Sequence, residues 1–157
     1  MKIKLIQIGK TDASYLNEGI SKYNKRIERY HPYEVLTIPD IKNSKNLSQS
    51  QQKTQEAIKI LKNIQNTDFV VLLDEKGKEY TSLKFAEFIR ETTLLSIKQM
   101  VFVIGGPYGF DASVYARANR KIALSKMTFS HQLVRLIFAE QLYRANSIIK
   151  GEPYHHE

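Results

Sequence analysis

The chain has 157 residues, no cysteine, and 24 lysines and arginines against 16 acidic residues, a formal charge of +8. That length suits a single domain over residues 1–157, and 42% hydrophobic content is enough to build its core. The lack of cysteine excludes disulfides, thiolate metal sites and cysteine nucleophiles and is compatible with a reducing cytoplasm, while the charge favours a polyanionic partner without requiring one.

From the amino terminus, residues 2–8 alternate charged and apolar side chains. This predicts a strand and lacks the continuous apolar run of a signal peptide. Residues 14–29 carry Tyr15, Leu16, Ile20, Tyr23 and Ile27 at helical spacing. Residues 34–38 are a short β-branched run closed by Pro39. After a polar, basic loop, Ser48 and Gln51 have the spacing of a capping box for a second helix reaching about residue 64. Residues 69–73 form a continuous apolar strand, Ser82 is placed to cap a helix through about residue 93, and residues 100–104 form another buried strand. Asp111 caps a short helix through about residue 117, residues 122–124 give a last short strand, and Ser130 caps a long helix to about residue 150. No apolar run approaches the length that spans a bilayer, so a soluble protein with no membrane association is expected.

Alternation of strand and helix predicts an α/β fold, a mostly parallel sheet with helices on both faces, and directs the search for function to the carboxyl ends of strands: after Leu73, after Ile104 and after Leu124. At the second of these, Gly105-Gly106-Pro107-Tyr108-Gly109 has glycines at the first, second and fifth positions. A dinucleotide fingerprint needs the first, third and sixth. A strand-to-helix turn and a ligand-approaching wall both remain open for it. Gly9-Lys10-Thr11 imitates the end of a phosphate loop, but the glycine required five residues earlier is Lys4, and the loop is dismissed. Asp74 and Glu75 open a polar run to Lys78 that reads as a turn.

Four histidines, His31, His131, His155 and His156, make no metal pair at helical spacing, and no metal is expected. The end of the chain, Pro153-Tyr154-His155-His156-Glu157, is either a frayed tail or a segment able to stack on a base and accept a proton. The last helix carries Leu133, Val134, Leu136, Ile137, Phe138, Leu142, Tyr143, Ile148 and Ile149 nearly all round it, which predicts a homodimer packed through it. On it, Glu140 and Arg144 are spaced for an i,i+4 pair. His131 and Arg135 share a face that meets either an anion or plain solvent. Lys22, Lys25, Arg26 and Arg29 make the first helix either a phosphate-binding surface or a solvated one, with Tyr23 and Tyr30 among the charges.

Four segments taken together, VFVIGGPYGF at 101–110, LSKMTFSHQLVR at 124–135, EQLYRA at 140–145 and PYHHE at 153–157, resemble the RlmH family, bacterial ribosomal RNA methyltransferases of the SPOUT class. Leu73-Asp74 and residues 2–9 stand in register with it as well. The resemblance implies a carboxyl-terminal trefoil knot, a homodimer, and S-adenosylmethionine held by knot loops at Leu73, Gly105, Leu124, Ser125, Lys126, Met127, Thr128 and Phe129. It implies methylation of N3 of a pseudouridine in the helix 69 loop of 23S rRNA in the assembled ribosome. Family members usually have proline where this chain has Ser130, and Lys126 fills a position that varies.

An activated methyl group leaves the protein two tasks, to hold the attacking nitrogen in line and to remove its proton. His155, with Glu157 as the second choice, is expected to accept that proton. Tyr154 is expected to fix the base, and His131 and Arg144 to orient tail or substrate. Competing readings are an RNA- or ribosome-binding module without catalysis, and a nicotinamide or nucleotide enzyme, which the glycine spacing disfavours.

Overall fold

The computed structural model describes residues 1–156. Five strands, β1 (Lys2–Ile8), β2 (Tyr33–Ile38), β3 (Phe69–Glu79), β4 (Gln99–Ile104) and β5 (Arg120–Ala123), form one parallel sheet in the order β2-β1-β4-β3-β5. Helices α1 (Ser14–Ile27), α2 (Gln49–Lys62), α3 (Ser82–Leu94), α4 (Ala112–Arg117) and α5 (Leu133–Ile149) connect and follow them.

Because strand side chains alternate between faces, the sheet feeds two cores. Ile3, Leu5, Val71, Phe102 and Ile104 pack with Ile27 of α1, Phe85 and Ile89 of α3, and Phe138 and Leu142 of α5. Ile6, Ile8, Val70, Leu72, Val101 and Val103 pack on the other side with Ala57 and Ile60 of α2 and Val114 of α4. Both faces of the sheet are thus covered by helices, as the continuous apolar strands at 69–73 and 100–104 require.

Local signals set most boundaries. The Ser48–Gln51 capping box is complete, with Ser48 Oγ accepting from the Gln51 amide at 3.1 Å and the Gln51 side chain accepting from the Ser48 amide at 2.8 Å. Asp111 caps α4 by accepting from the Ser113 amide. Three expectations are corrected. Thr81, not Ser82, caps α3, accepting from the Lys84 amide at 3.2 Å and leaving Ser82 as the first helical residue. Ser130 accepts from the Leu133 amide at 3.1 Å, but the helix proper starts at Leu133, after Gln132. The polar run after Leu73 is no turn either: β3 continues to Glu79, and its ladder with β5 resumes at Lys78↔Ile122 after a register shift. A bulge of this kind bends a strand and re-aims its side chains, and here Asp74 and Glu75, inside the shift, line the cavity described next.

Candidate active site

The carboxyl ends of β3, β4 and β5 surround a cavity of about 450 Å³, within the range of small-molecule sites. Leu73, Asp74 and Glu75 line it from the β3 bulge, the run from Ile104 to Phe110 from the loop after β4, and Leu124, Ser125, Met127, Thr128 and Phe129 from the segment after β5; His131 and Val134 close it from the start of α5. Buried side chains supply the apolar floor and partly exposed ones the rim, since Ile104 and Phe110 are almost inaccessible while Met127 is 76% exposed.

Hydrogen bonds between loops fix the walls. Thr128 donates to Glu75 Oε2 at 2.8 Å, linking the β5 segment to the β3 bulge. Tyr115 of α4 donates to Asp74, and burial together with that carboxylate holds its phenol protonated far above neutral pH. Gly106 and Gly109 pair across the loop after β4, and Gly109 sits at φ 81°, a conformation glycine adopts without steric cost. Of the eight positions named for the cofactor, seven line the cavity; Lys126 is exposed and is not among the lining residues. An apolar floor, a glycine wall and two carboxylates at the rim suit a ligand with an aromatic base and positive charge. S-adenosylmethionine has both, so these residues fit it.

The residues proposed for catalysis divide. His131 lines the cavity. Arg144, Tyr154 and His155 form a second cluster, at the far end of α5. Glu140 Oε1 accepts from Arg144 Nε at 3.0 Å, from Arg144 Nη2 at 2.5 Å and from the Tyr154 hydroxyl at 3.0 Å, and Arg144 donates to Nδ1 of His155 at 3.2 Å. The Arg144 guanidinium also lies 4.7 Å from the Tyr154 ring centroid. Tyr154 packs edge-on against Tyr143, its hydroxyl is 3.3 Å from that of Tyr23, and burial first, then Tyr23 and Glu140, push its ionisation upward. Glu157 lies outside the described residues.

The tail is therefore docked rather than frayed, and Tyr30 ties it further by donating to Glu152. Tyr23 and Tyr30, which lie among the charges of the first helix, are the seat of this tail. Arg26 of the basic first helix stands over the Tyr23 and Tyr143 rings.

Arg135 does not share an exposed face with His131. It is 1% exposed and donates to the Ile8 carbonyl at 2.5 Å and to Thr11 Oγ1 at 2.8 Å, tying the start of α5 to the end of β1. Burial lowers its pKa against the opposing charges of Asp40 and Asp12. Sequence reasoning also missed Tyr115, which the Asp111 cap places one helical turn into α4. Among the described residues no cluster of histidines and carboxylates is arranged to hold a metal, and no helix is long and apolar enough to cross a membrane.

The family model for predicted SPOUT methyltransferases matches residues 1–155. A relative from Parabacteroides distasonis is 57% identical over 157 residues, covering all of both chains. One from Christiangramia forsetii is 55% identical over 156 residues, 99% of each chain, and one from Flavobacterium johnsoniae is 52% identical over the full length of both. Each of the three is named ribosomal RNA large subunit methyltransferase H. With a family match across nearly its whole length and relatives more than 50% identical over the full chain, this chain belongs to the SPOUT methyltransferase family.

Proposed function

We propose that this protein is a cytoplasmic, S-adenosylmethionine-dependent methyltransferase that modifies N3 of a pseudouridine in the helix 69 loop of 23S rRNA, working as a homodimer on the assembled ribosome. The observation that carries this reading is the convergence of Leu73, Gly105, Leu124, Ser125, Met127, Thr128 and Phe129 on one cavity, in a chain whose relatives are named for ribosomal RNA methylation. The net charge of +8 suits a substrate made of phosphates.

Distance supports the dimer. Val134 lines the cavity and Arg144 holds the tail, and ten residues of helix separate them by roughly 15 Å, whereas reacting atoms must approach to about 3 Å. One chain does not unite the two clusters; a second copy, packed on the apolar side chains of α5 that this chain leaves partly uncovered, brings its own tail to the cavity. Leu133, 38% exposed, and the half-buried Leu136 and Ile137 supply that surface.

S-adenosylmethionine supplies an activated methyl group. The chain's residues hold the base and manage one proton: N3 loses its hydrogen as it takes the methyl. Because Arg144 donates to Nδ1 of His155, the neutral ring carries its proton on Nε2. To accept the N3 proton on Nδ1, His155 gives up that contact, and the released guanidinium faces the base carbonyl oxygens, where negative charge gathers. Tyr154, kept protonated, donates a hydrogen bond and takes no proton. His155→Ala lowers turnover more than cofactor affinity; unchanged single-turnover methylation removes His155 from the mechanism.

The test is incubation of ribosomes lacking the modification with isotopically labelled S-adenosylmethionine, followed by mapping of the labelled nucleotide. Label on N3 of the helix 69 pseudouridine supports the assignment, and label elsewhere or none overturns it. Ribosome binding without cofactor binding in calorimetry would mark a non-catalytic RNA-binding module instead.

A further inference from the structure

Behind the glycine wall of the cavity stands a carboxylate to which the proposed chemistry gives no part. Glu56, the single acidic residue of α2, is 3% exposed, and among the described residues its Oε1 has no hydrogen-bond partner. It lies against Gly106: a Cβ there would sit 2.5 Å from Glu56 Oε2 and 2.9 Å from Oε1. Gly106 lines the cavity and Glu56 does not, so the carboxyl touches the wall from behind. Burial raises its pKa; a hydrogen bond with Gln52 works against this, and the charge of Asp40 adds to it. Ala57 and Ile60 already supply the apolar contacts of α2 with the sheet. A buried, incompletely bonded carboxyl costs stability that an alanine would avoid, so its place here calls for a function.

We propose that Glu56 is a positioning residue for the methyl-donor site, its carboxyl seating the Gly105-Gly106 turn at the depth that lets the backbone meet the ligand. The effect passes through the loop, and Gly106 is required because only a residue without Cβ lies flat on that carboxyl. This inference rests on the proposed binding of S-adenosylmethionine in the cavity.

Calorimetric titration with S-adenosylmethionine tests it on wild type, E56Q, E56A, G106A and the double variant E56A/G106A, with thermal unfolding of each free protein as a separate readout. E56A weakens binding by about tenfold or more, roughly 1.4 kcal/mol. E56Q, which keeps the shape and a polar head against Gly106, recovers wild-type affinity within about twofold, less than 0.5 kcal/mol. G106A loses binding, and E56A/G106A binds more tightly than G106A because removal of the carboxyl makes room for the new methyl group. At saturating cofactor, single-turnover methylation by E56A returns close to the wild-type rate. Affinity unchanged in E56A, or a double variant no better than G106A, overturns the inference; Glu56→Ser takes the place of E56A if that variant does not fold. Wild-type protein that binds no S-adenosylmethionine overturns the functional reading as well, so the two failures are told apart.

Discussion

Replacement of Arg135 by methionine measures what a buried cation contributes to this fold. The side chain is 1% exposed, and its removal strands two acceptors, the Ile8 carbonyl and Thr11 Oγ1, now bonded at 2.5 and 2.8 Å. The buried Ile8 carbonyl left without a partner costs about 1–3 kcal/mol and the half-buried Thr11 hydroxyl less, while methionine fills similar volume and removes the desolvation penalty of the charge. The net expectation is a loss of about 2 kcal/mol, which for a chain of this size lowers the unfolding midpoint by about 4–8 °C. Urea and thermal melts followed by far-ultraviolet circular dichroism provide the readout, with Arg135→Lys, able to reach one acceptor, falling in between. An R135M midpoint within about 1 °C of wild type refutes the bonded, buried arginine and returns the residue to the face shared with His131, anion-meeting or solvated, that the sequence left open.

Three further outcomes follow from the same geometry. Glu140→Gln loosens the grip on Arg144 and Tyr154 and costs the fold about 1–2 kcal/mol, while methyl transfer falls by roughly tenfold or more; a stability loss with full activity separates the tail cluster from catalysis. Arg144→Ala and Gly105→Val are each inactive alone, the valine because its side chain meets Phe110 at about 3 Å, but co-refolded they recover roughly a quarter of wild-type activity, since half the dimers hold one intact composite site. No recovery refutes a site shared between copies. His31 is half-buried with Nε2 donating to Asn146 at 2.8 Å, and burial lowers its pKa below the ordinary 6.5. Its contribution to stability is therefore full above pH 6.5 and is lost as pH falls through the lowered folded-state value. The slope of the unfolding midpoint over that window flattens in His31→Gln, and an unchanged slope would assign it to other groups.

The strands at 69–73 and 100–104, the Ser48 box and the Asp111 cap were legible because each is written in a few adjacent residues. The Glu140–Arg144 pair was legible for the same reason, as a four-residue spacing on one helix. What escaped depends on partners brought from far along the chain. The polar residues after Leu73 are strand because β5 arrives beside them, and Arg135 is buried because its acceptors lie more than a hundred residues away in β1 and the turn after it. Charged residues read as solvated, and nothing local to Arg135 announces the distant acceptors that let it be buried. Strand-end logic pointed to Leu73, to the glycine turn at Gly105 and to Leu124, whereas Ser125, Met127, Thr128 and Phe129 were named only through the family resemblance.

The sheet order also sets a timetable for assembly. β1 lies between β2 and β4, yet its register with β4, from Lys2↔Gln99 onward, joins residues about a hundred positions apart. At elongation rates of about 5–20 residues per second, the side of β1 destined for β4 stays open for roughly 5–20 s after it is made. Such non-local pairing is slow, and an open strand edge invites the wrong neighbour. Lys2 and Lys4 punctuate β1 and pair with Glu34 on the neighbouring β2. Their charges disfavour misplaced pairing by another nascent chain while the correct strand is still being synthesised.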